Sequence, residues 1–278
     1  TTDCNSPTYI FTVQYPSGVL FFSNTPKIDV FESQVAARHY IRNKFKSVLI
    51  SDGVALIGLS IISNKILYSI VQRSKQKLTL PNGAIVYKTK EIDTFSIDLK
   101  SMKQIKKENL LKPDFYYCNN FDITRPYPSK FSVSECDKDF CWNNRWRLPF
   151  EKNMAGFACV VLVQGYFKKV NNVIYSAKRS VLNQFTRYTS RGIDDNASPA
   201  NELECELIFC ENDQNFVSHC WRRGSVPVRW QTAVSTITVF HQVLENDNTK
   251  THTYFNKLAK RYGVSIIHVL SLLENSGF

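Results

Sequence analysis

Two arginines followed by glycine carry the most chemical potential in this sequence: Arg191-Gly192 and Arg223-Gly224. A guanidinium offers a planar fork of donors suited to phosphate oxygens. The adjacent glycine lets backbone N–H groups approach an anion closely. Ser225 adds a hydroxyl, and Asp194, Glu202, Glu204 and Glu206 could hold the arginines in position. The order of charge has an ordinary explanation too. Residues 154–193 contain six basic residues and no acid, residues 194–213 seven acids and no base, and residues 214–244 again no acid, with Arg222, Arg223 and Arg229. If these segments are neighbouring strands, acids and bases pair across the sheet. Spacing alone favours that ion-pair reading over a ligand site.

Two cysteines deserve a test as nucleophiles. Cys141 and Arg147 stand at the Cys-x5-Arg spacing of cysteine phosphatases, in which a thiolate attacks phosphorus inside a tight loop. Two tryptophans and no glycine lie in that stretch, which argues for an aromatic packing cluster instead. Cys220 has Val226 where the arginine is required, and it falls in an extended segment. Neither is a credible nucleophile. The eight cysteines include no Cys-x-x-Cys pair and no zinc-type spacing with the five histidines, so reduced thiols in an intracellular compartment are expected. No metal or cofactor is expected.

The elements that must position these residues are mostly strands. With 278 residues and 43% hydrophobic content the chain can build a substantial core of one or two domains. Its net charge of +11 favours an anionic partner: nucleic acid, an acidic membrane or a phosphorylated ligand. The aromatics follow core-like patterns instead of exposed stacking motifs, so nucleic acid is not expected. The longest apolar region, residues 48–71, is broken by Asp52, Asn64 and Lys65 and does not read as a membrane span. The first residue is Thr1, so a piece of something longer is expected.

Hairpins are predicted around Asp52-Gly53, around Asn64 and around Pro81-Asn82-Gly83, giving an antiparallel meander. Residues 101–112, with Lys103, Lys106, Lys107 and Lys112, are predicted helical, and the lysines read as a solvated face or a membrane-surface patch. Residues 157–164 read as a buried strand, Asn171-Asn172 as a turn, and residues 202–210 and 216–221 as further strands. Residues 249–262 carry Tyr254, Phe255, Leu258 and Tyr262 on one helical face and stop at Gly263. Residues 264–270 read as a last buried strand. A boundary near residue 150 separates a β-rich first part from a mixed second part.

Several stretches, in order, resemble the Sac domain of phosphoinositide phosphatases. Residues 115–124, FYYCNNFDIT, are similar to that family's Phe-Tyr-Tyr segment, and residues 139–143, DFCWN, to its Phe-x-Trp-Asn motif. Ala177-Lys178-Arg179-Ser180, Thr186-Arg187-Tyr188, Arg191-Gly192-Ile193-Asp194, Ala200-Asn201 and Glu204-Cys205-Glu206 resemble its longest signature. Arg223 to Pro227 with Trp230 resembles the next. Three positions depart: Ala197 stands where the family usually has Gly, Cys205 where it has Thr, and Arg229 where it has a bulky aromatic.

The resemblance implies an α+β protein: a β-rich N-terminal subdomain over residues 1–150, followed by an incomplete α/β phosphatase-like catalytic domain over residues 151–278. It implies metal-independent removal of phosphate from the inositol ring of a membrane lipid through a cysteinyl-phosphate, with no cofactor. The partners implied are phosphoinositide lipids on membrane surfaces, and the place is the cytoplasmic face of an endomembrane. Arg187, Arg191, Asp194, Asn201, Arg223 and Ser225 would contact the headgroup or support the phosphate loop. The nucleophilic cysteine loop is expected downstream of Phe278, so this segment alone is expected to be inactive. The second reading is a catalytically dead Sac-like module that binds acidic phosphoinositide membranes or a protein partner. A cut catalytic domain is expected to expose apolar surface at residues 157–163 or 266–270.

Overall fold

The computed structural model describes residues 8–12, 18–22, 28–31, 33, 35–36, 39–40, 48–52, 55–62, 65–71, 77–89, 92–98, 104–107, 114–119, 121–128, 135–151, 159–184, 191–210, 215–234, 239–244 and 248–271. The chain divides into two units. One comprises residues 1–178 and 206–219, the other residues 179–205 and 220–278. Antiparallel sheet dominates among the described residues, with helices over Asn144–Glu151 and Thr249–Tyr262.

The first unit opens with β1 (Thr8–Thr12), β2 (Gly18–Phe22), β3 (Ile28–Phe31) and β4 (Val48–Asp52), ordered β3-β2-β1-β4 in one sheet. A second sheet contains β5 (Ala55–Ile62), β6 (Lys65–Val71), β9 (Ile92–Asp98) and β10 (Gln104–Lys107), ordered β10-β9-β6-β5. The third is seven-stranded. Its order is β15-β14-β13-β12-β11-β8-β7, from β7 (Lys77–Thr79), β8 (Ile85–Lys88), β11 (Phe115–Cys118), β12 (Val163–Val170), β13 (Val173–Arg179), β14 (Leu203–Cys210) and β15 (Phe216–Arg223). The core of this unit forms where Leu80, Val86, Tyr116, Ile123, Val163, Ile174 and Ile208 meet.

Local turn chemistry works where the turn is short. β5 pairs antiparallel with β6 and sets Ile62 against Lys65, while the predicted turn residues Ser63 and Asn64 lie outside the described residues. Pro81-Asn82-Gly83 closes β7 onto β8, with the Gly83 amide donating to the Leu80 carbonyl at 2.9 Å. Asn171, at φ 52°, turns β12 into β13 and sets Val170 opposite Val173.

Among the described residues no hairpin pairs residues 48–52 with 55–62: β4 pairs in parallel with β1, and β5 pairs with β6, while Gly53 lies outside the described residues. Leu56, Ile57 and Leu59 are 1% exposed, so both faces of β5 are covered, which a local two-stranded hairpin cannot provide. Within the predicted helix over residues 101–112, residues 104–107 instead form the strand β10, in register with β9 from Gln104↔Ile97 to Lys107↔Thr94; residues 101–103 and 108–112 lie outside the described residues. β10 is an edge strand, and lysine is a common way to blunt such an edge, so a lysine run does not distinguish it from a solvated helix. Residues 264–270 make no strand. Ile266, Val269 and Leu270 are 71%, 69% and 83% exposed, as the expected apolar exposure there requires. An apolar run becomes a strand only when a partner satisfies its backbone. The alternative place for such exposure, residues 157–163, is closed from Cys159 to Val163, all buried; residues 157 and 158 lie outside the described residues. The buried strand predicted over residues 157–164 begins only at Val163, with a single bridge at Cys159 before it.

Helix α1 (Asn144–Glu151) shows why the segment before it is built as it is. Asn143 is 4% exposed, and its side-chain amide donates to the carbonyls of Ile57 (2.6 Å) and Val160 (2.7 Å). Its side-chain oxygen accepts from the Leu162 amide at 2.8 Å. One residue therefore satisfies backbone groups of two segments distant in sequence. Cys141 is 1% exposed beside it. The Arg147 guanidinium donates to Cys136 at 2.9 Å and to Cys141 at 3.8 Å, so the Cys-x5-Arg spacing closes into a buried contact and not an anion loop. Hydrogen bonding with Cys136, then burial, pushes the Cys141 thiol up, which keeps it protonated.

In the second unit, β16 (Trp230–Val234) and β17 (Val239–Val243) form an antiparallel ribbon, and α2 (Thr249–Tyr262) follows. The helix spans the predicted residues. Gly263 caps it in the left-handed conformation at φ 63°, and its N–H donates to the Ala259 carbonyl. Tyr254 and Leu258 pack with Ile193 and Ala197. None of the helices among the described residues is long and apolar enough to cross a membrane.

Candidate functional site

Of the residues that the sequence singles out, Arg191, Asp194 and Asn201 lie on one loop of the second unit, residues 191–201, and Ser225 is hydrogen-bonded to it. Asp194 builds it. One oxygen of its carboxylate accepts the backbone N–H of Asn196 at 3.0 Å and of Ser198 at 2.8 Å. Its own N–H donates to the Ser198 carbonyl, and Ala197 N–H donates to the Asp194 carbonyl. An aspartate that closes backbone turns in this way is a short-range organiser. Asp194 thus serves the loop directly, where the expectation had it holding an arginine.

Gly192 ties this loop to the Arg223–Ser225 corner. Its N–H donates to the Ser225 hydroxyl oxygen at 2.8 Å, and its carbonyl accepts from Ala200 N–H at 2.8 Å. Ser225 N–H donates to the Ala200 carbonyl at 3.1 Å. The two Arg-Gly corners are therefore parts of one hydrogen-bonded frame. Gly192 sits at φ 64°, and a Cβ there would lie 2.4 Å from the Val228 carbonyl oxygen. Gly192→Ala is expected to cost about 2–5 kcal/mol, from the left-handed backbone and the overlap together. Chemical denaturation with near-ultraviolet dichroism of Trp230 measures it; an unchanged midpoint contradicts it.

Arg191 leans over Trp230, with its guanidinium carbon 5.2 Å from the ring centroid. Its Nε is buried and has no hydrogen-bond partner among the described residues. Arg223 is exposed at the end of β15. Asn201, at φ 54°, accepts from Arg179 Nη2 at 2.7 Å and donates its N–H to the Asn183 carbonyl. Arg187 lies outside the described residues.

The acidic run behind this loop holds an arginine that the motif reading passed over. Arg222 bonds Glu202 at 2.9 Å and Glu204 at 3.0 Å, and its Nε donates to the Tyr262 hydroxyl at 2.6 Å. Arg261 adds a contact to Glu204 at 3.2 Å, Tyr262 donates to Glu204, and Tyr254 donates to Glu202 at 2.6 Å. Burial opposes the charge on Arg222, but Glu202 and Glu204 outweigh it and raise its pKa. The charge blocks could have pointed to Arg222, since acids and bases on adjacent strands were expected to pair; nothing in the sequence says which of Arg222 and Arg223 turns inward. Glu206 belongs to the first unit, where it accepts from Tyr127 N–H at 2.7 Å and from the Ser218 hydroxyl at 2.5 Å.

Two of the departures have physical counterparts. Ala197 adopts φ 57°, a conformation that glycine tolerates without cost, and its methyl packs with Ile193, Tyr254 and Leu258. Arg229 pairs with Asp195 at 2.7 Å, a contact that no aromatic side chain could make, and Lys250 reaches the same carboxylate. These two cations, Lys250 first, hold the Asp195 carboxyl below the usual carboxylate range.

The buried phenols give the fold a pH limit. Burial first, then Tyr87 and Cys118, pushes Tyr117 up to about 12. Burial with Glu202 raises Tyr254, and burial with Glu204 raises Tyr262. Each stays protonated in the folded chain where the unfolded chain would lose its proton near the usual value of 10.0. Their contribution is thus complete below that pH and is lost as pH rises toward about 12 and beyond. Phenolate absorbance is expected to rise for these three only together with unfolding; an ordinary titration of all 13 tyrosines with the fold intact contradicts this.

Among the described residues no group of three or more His, Cys, Asp and Glu is arranged to hold a metal ion.

Comparison with known proteins agrees in one direction. The sequence pattern of the SacI homology domain matches residues 54–278. Phosphoinositide phosphatase SAC3 of Arabidopsis thaliana is 27% identical over 187 residues, covering 59% of this chain and 23% of the relative. Phosphatidylinositol-3-phosphatase SAC1 of the same plant is 25% identical over 222 residues, covering 72% of this chain and 24% of the relative. The polyphosphoinositide phosphatase of Schizosaccharomyces pombe is 25% identical over 276 residues, covering 83% of this chain and 32% of the relative. The chain thus spans about a quarter to a third of the length of these relatives.

Proposed function

The chain belongs to the SacI homology domain family, and from that premise we propose that it is the front part of a phosphoinositide phosphatase. In this reading the whole polypeptide removes phosphate from the inositol ring of a membrane lipid through a cysteinyl-phosphate. The division near residue 150 into a β-rich subdomain and the first part of an α/β catalytic domain belongs to the same proposal, as does a place on the cytoplasmic face of an endomembrane.

The observation that carries the proposal is the frame joining the two Arg-Gly corners. Gly192 donates a hydrogen bond directly to Ser225, and Arg191 beside them holds a buried donor nitrogen without a partner among the described residues. A phosphate oxygen is the acceptor such a donor suits. Ser225 and Asp194 shape the frame, Asn201 and Arg179 brace its far end, and Arg223 and Arg187 would add charge toward the headgroup. In this proposal the nucleophile is not one of these residues, and their part is recognition and support.

The test is phosphate release from phosphatidylinositol phosphate vesicles, by residues 1–278 and by the product of the whole reading frame. Release by the second and not the first supports the proposal. A reading frame that places Ser or Asn where the Cys of a Cys-x5-Arg loop should stand overturns it in favour of a lipid-binding module without activity.

A further inference from the structure

Strands β12 to β15 are consecutive neighbours in the seven-stranded sheet, and their side chains alternate. The inward set includes Val163, Ile174 and Ile208, which enter the core, and the carboxylate of Glu206, which is 2% exposed. The outward set of the first unit is unusual for a solvated face. Tyr166 and Val170 on β12 are 49% and 42% exposed, Tyr175 on β13 41%, Phe209 on β14 44% and Val217 on β15 68%. Lys168 lies among them, directly opposite Tyr175 in the β12–β13 register. β12, β13 and β15 contain no acidic residue at all, and the acids of β14 fall at its inward positions. A solvated face of an antiparallel sheet normally alternates to polar residues of both signs.

We propose that this face, at the β12–β13 hairpin end in particular, docks on an anionic lipid bilayer. The direction of the proposal rests on the membrane-lipid substrate proposed above, but the face stands on its own chemistry. Tyrosine has an apolar ring and a polar tip, which suits the headgroup level of a bilayer. Lysine can lay its stem along apolar neighbours while its ammonium meets lipid phosphates. Val170, next to the Asn171-Asn172 turn, provides a small apolar tip. A second copy fits poorly, because a two-fold contact sets this face on itself and offers Lys168 no carboxylate. A bilayer of negative charge also matches the net charge of +11.

The experiment uses the 278-residue chain and vesicles without phosphoinositide, of phosphatidylcholine alone or mixed with phosphatidylserine. Flotation with the mixed vesicles and not the neutral ones is expected. Lys168→Glu is expected to lower the partition coefficient roughly tenfold to thirtyfold, and Tyr166→Ser with Tyr175→Ser about fivefold or more. In Tyr166→Trp, which keeps the ring, brominated lipid is expected to quench the new indole. No flotation with mixed vesicles, equal flotation of Lys168→Glu, or no quenching overturns the proposal. So does a concentration-dependent dimer that Lys168→Glu or the Tyr pair disrupts, since the face would then be a protein interface. Hydrolysis of phosphoinositides by the whole polypeptide without binding to phosphatidylserine would sink the docking face alone. Binding without hydrolysis would sink the proposed activity alone.

Discussion

Arg222→Met is expected to destabilise the second unit by about 3–5 kcal/mol, the usual cost of stranding a buried charge. Side-chain exposure is 11% for Arg222, 9% for Glu202 and 0% for Glu204. Removing the guanidinium leaves two carboxylates close together, with Arg261 still touching Glu204. Neutralising the partners as well should recover much of the loss, because the isolated attraction in a buried pair is largely offset by desolvation. The triple variant Arg222→Met, Glu202→Gln, Glu204→Gln is therefore expected to be more stable than Arg222→Met alone. Urea unfolding at constant slope decides this. A loss under about 1 kcal/mol in the single variant, in the range of an exposed pair, would show that water reaches the cluster.

Asn143→Ala is expected to cost the first unit about 3–6 kcal/mol. The substitution strands the carbonyls of Ile57 and Val160 and the amide of Leu162, each worth about 1–3 kcal/mol when buried without a partner. Asn143→Asp keeps an acceptor for the Leu162 amide but sets a carboxylate against two carbonyls, so it is expected to be no milder. Denaturant unfolding followed by far-ultraviolet dichroism measures both. Near-native stability of Asn143→Ala would mean that water replaces the side chain.

The motif reading marked Asn143 by resemblance and offered packing as the reason for its neighbours. The hydrogen bonds show a different reason for Asn143 itself: it joins β5 to the segment that leads into β12, a link between positions 57, 143 and 160 that no local pattern contains. The same limit explains the misread helix. Lysine at 106 and 107 is compatible with a solvated helix face and with an edge strand, and only pairing with β9 selects between them. It explains the site as well. Arg-Gly corners were visible at 191 and 223, and their relevance as a pair was not, because the bond from Gly192 to Ser225 spans a sequence separation of 33.

Short-range chemistry was enough for α2 with its glycine cap, for the turns at Pro81-Asn82-Gly83 and Asn171-Asn172, for strands β14 and β15 and for the family itself. In each of these, a turn residue, a periodicity or an ordered motif acts within a few residues. Tertiary packing decided that β4 joins β1 and leaves β5 to β6, that Arg222 and not Arg223 goes inward, that Asp194 closes a loop, and that Cys141 and Arg147 meet in a core. Those choices depend on which distant segment removes a given backbone group or charge from water, a partner identity that neither side of the contact encodes alone.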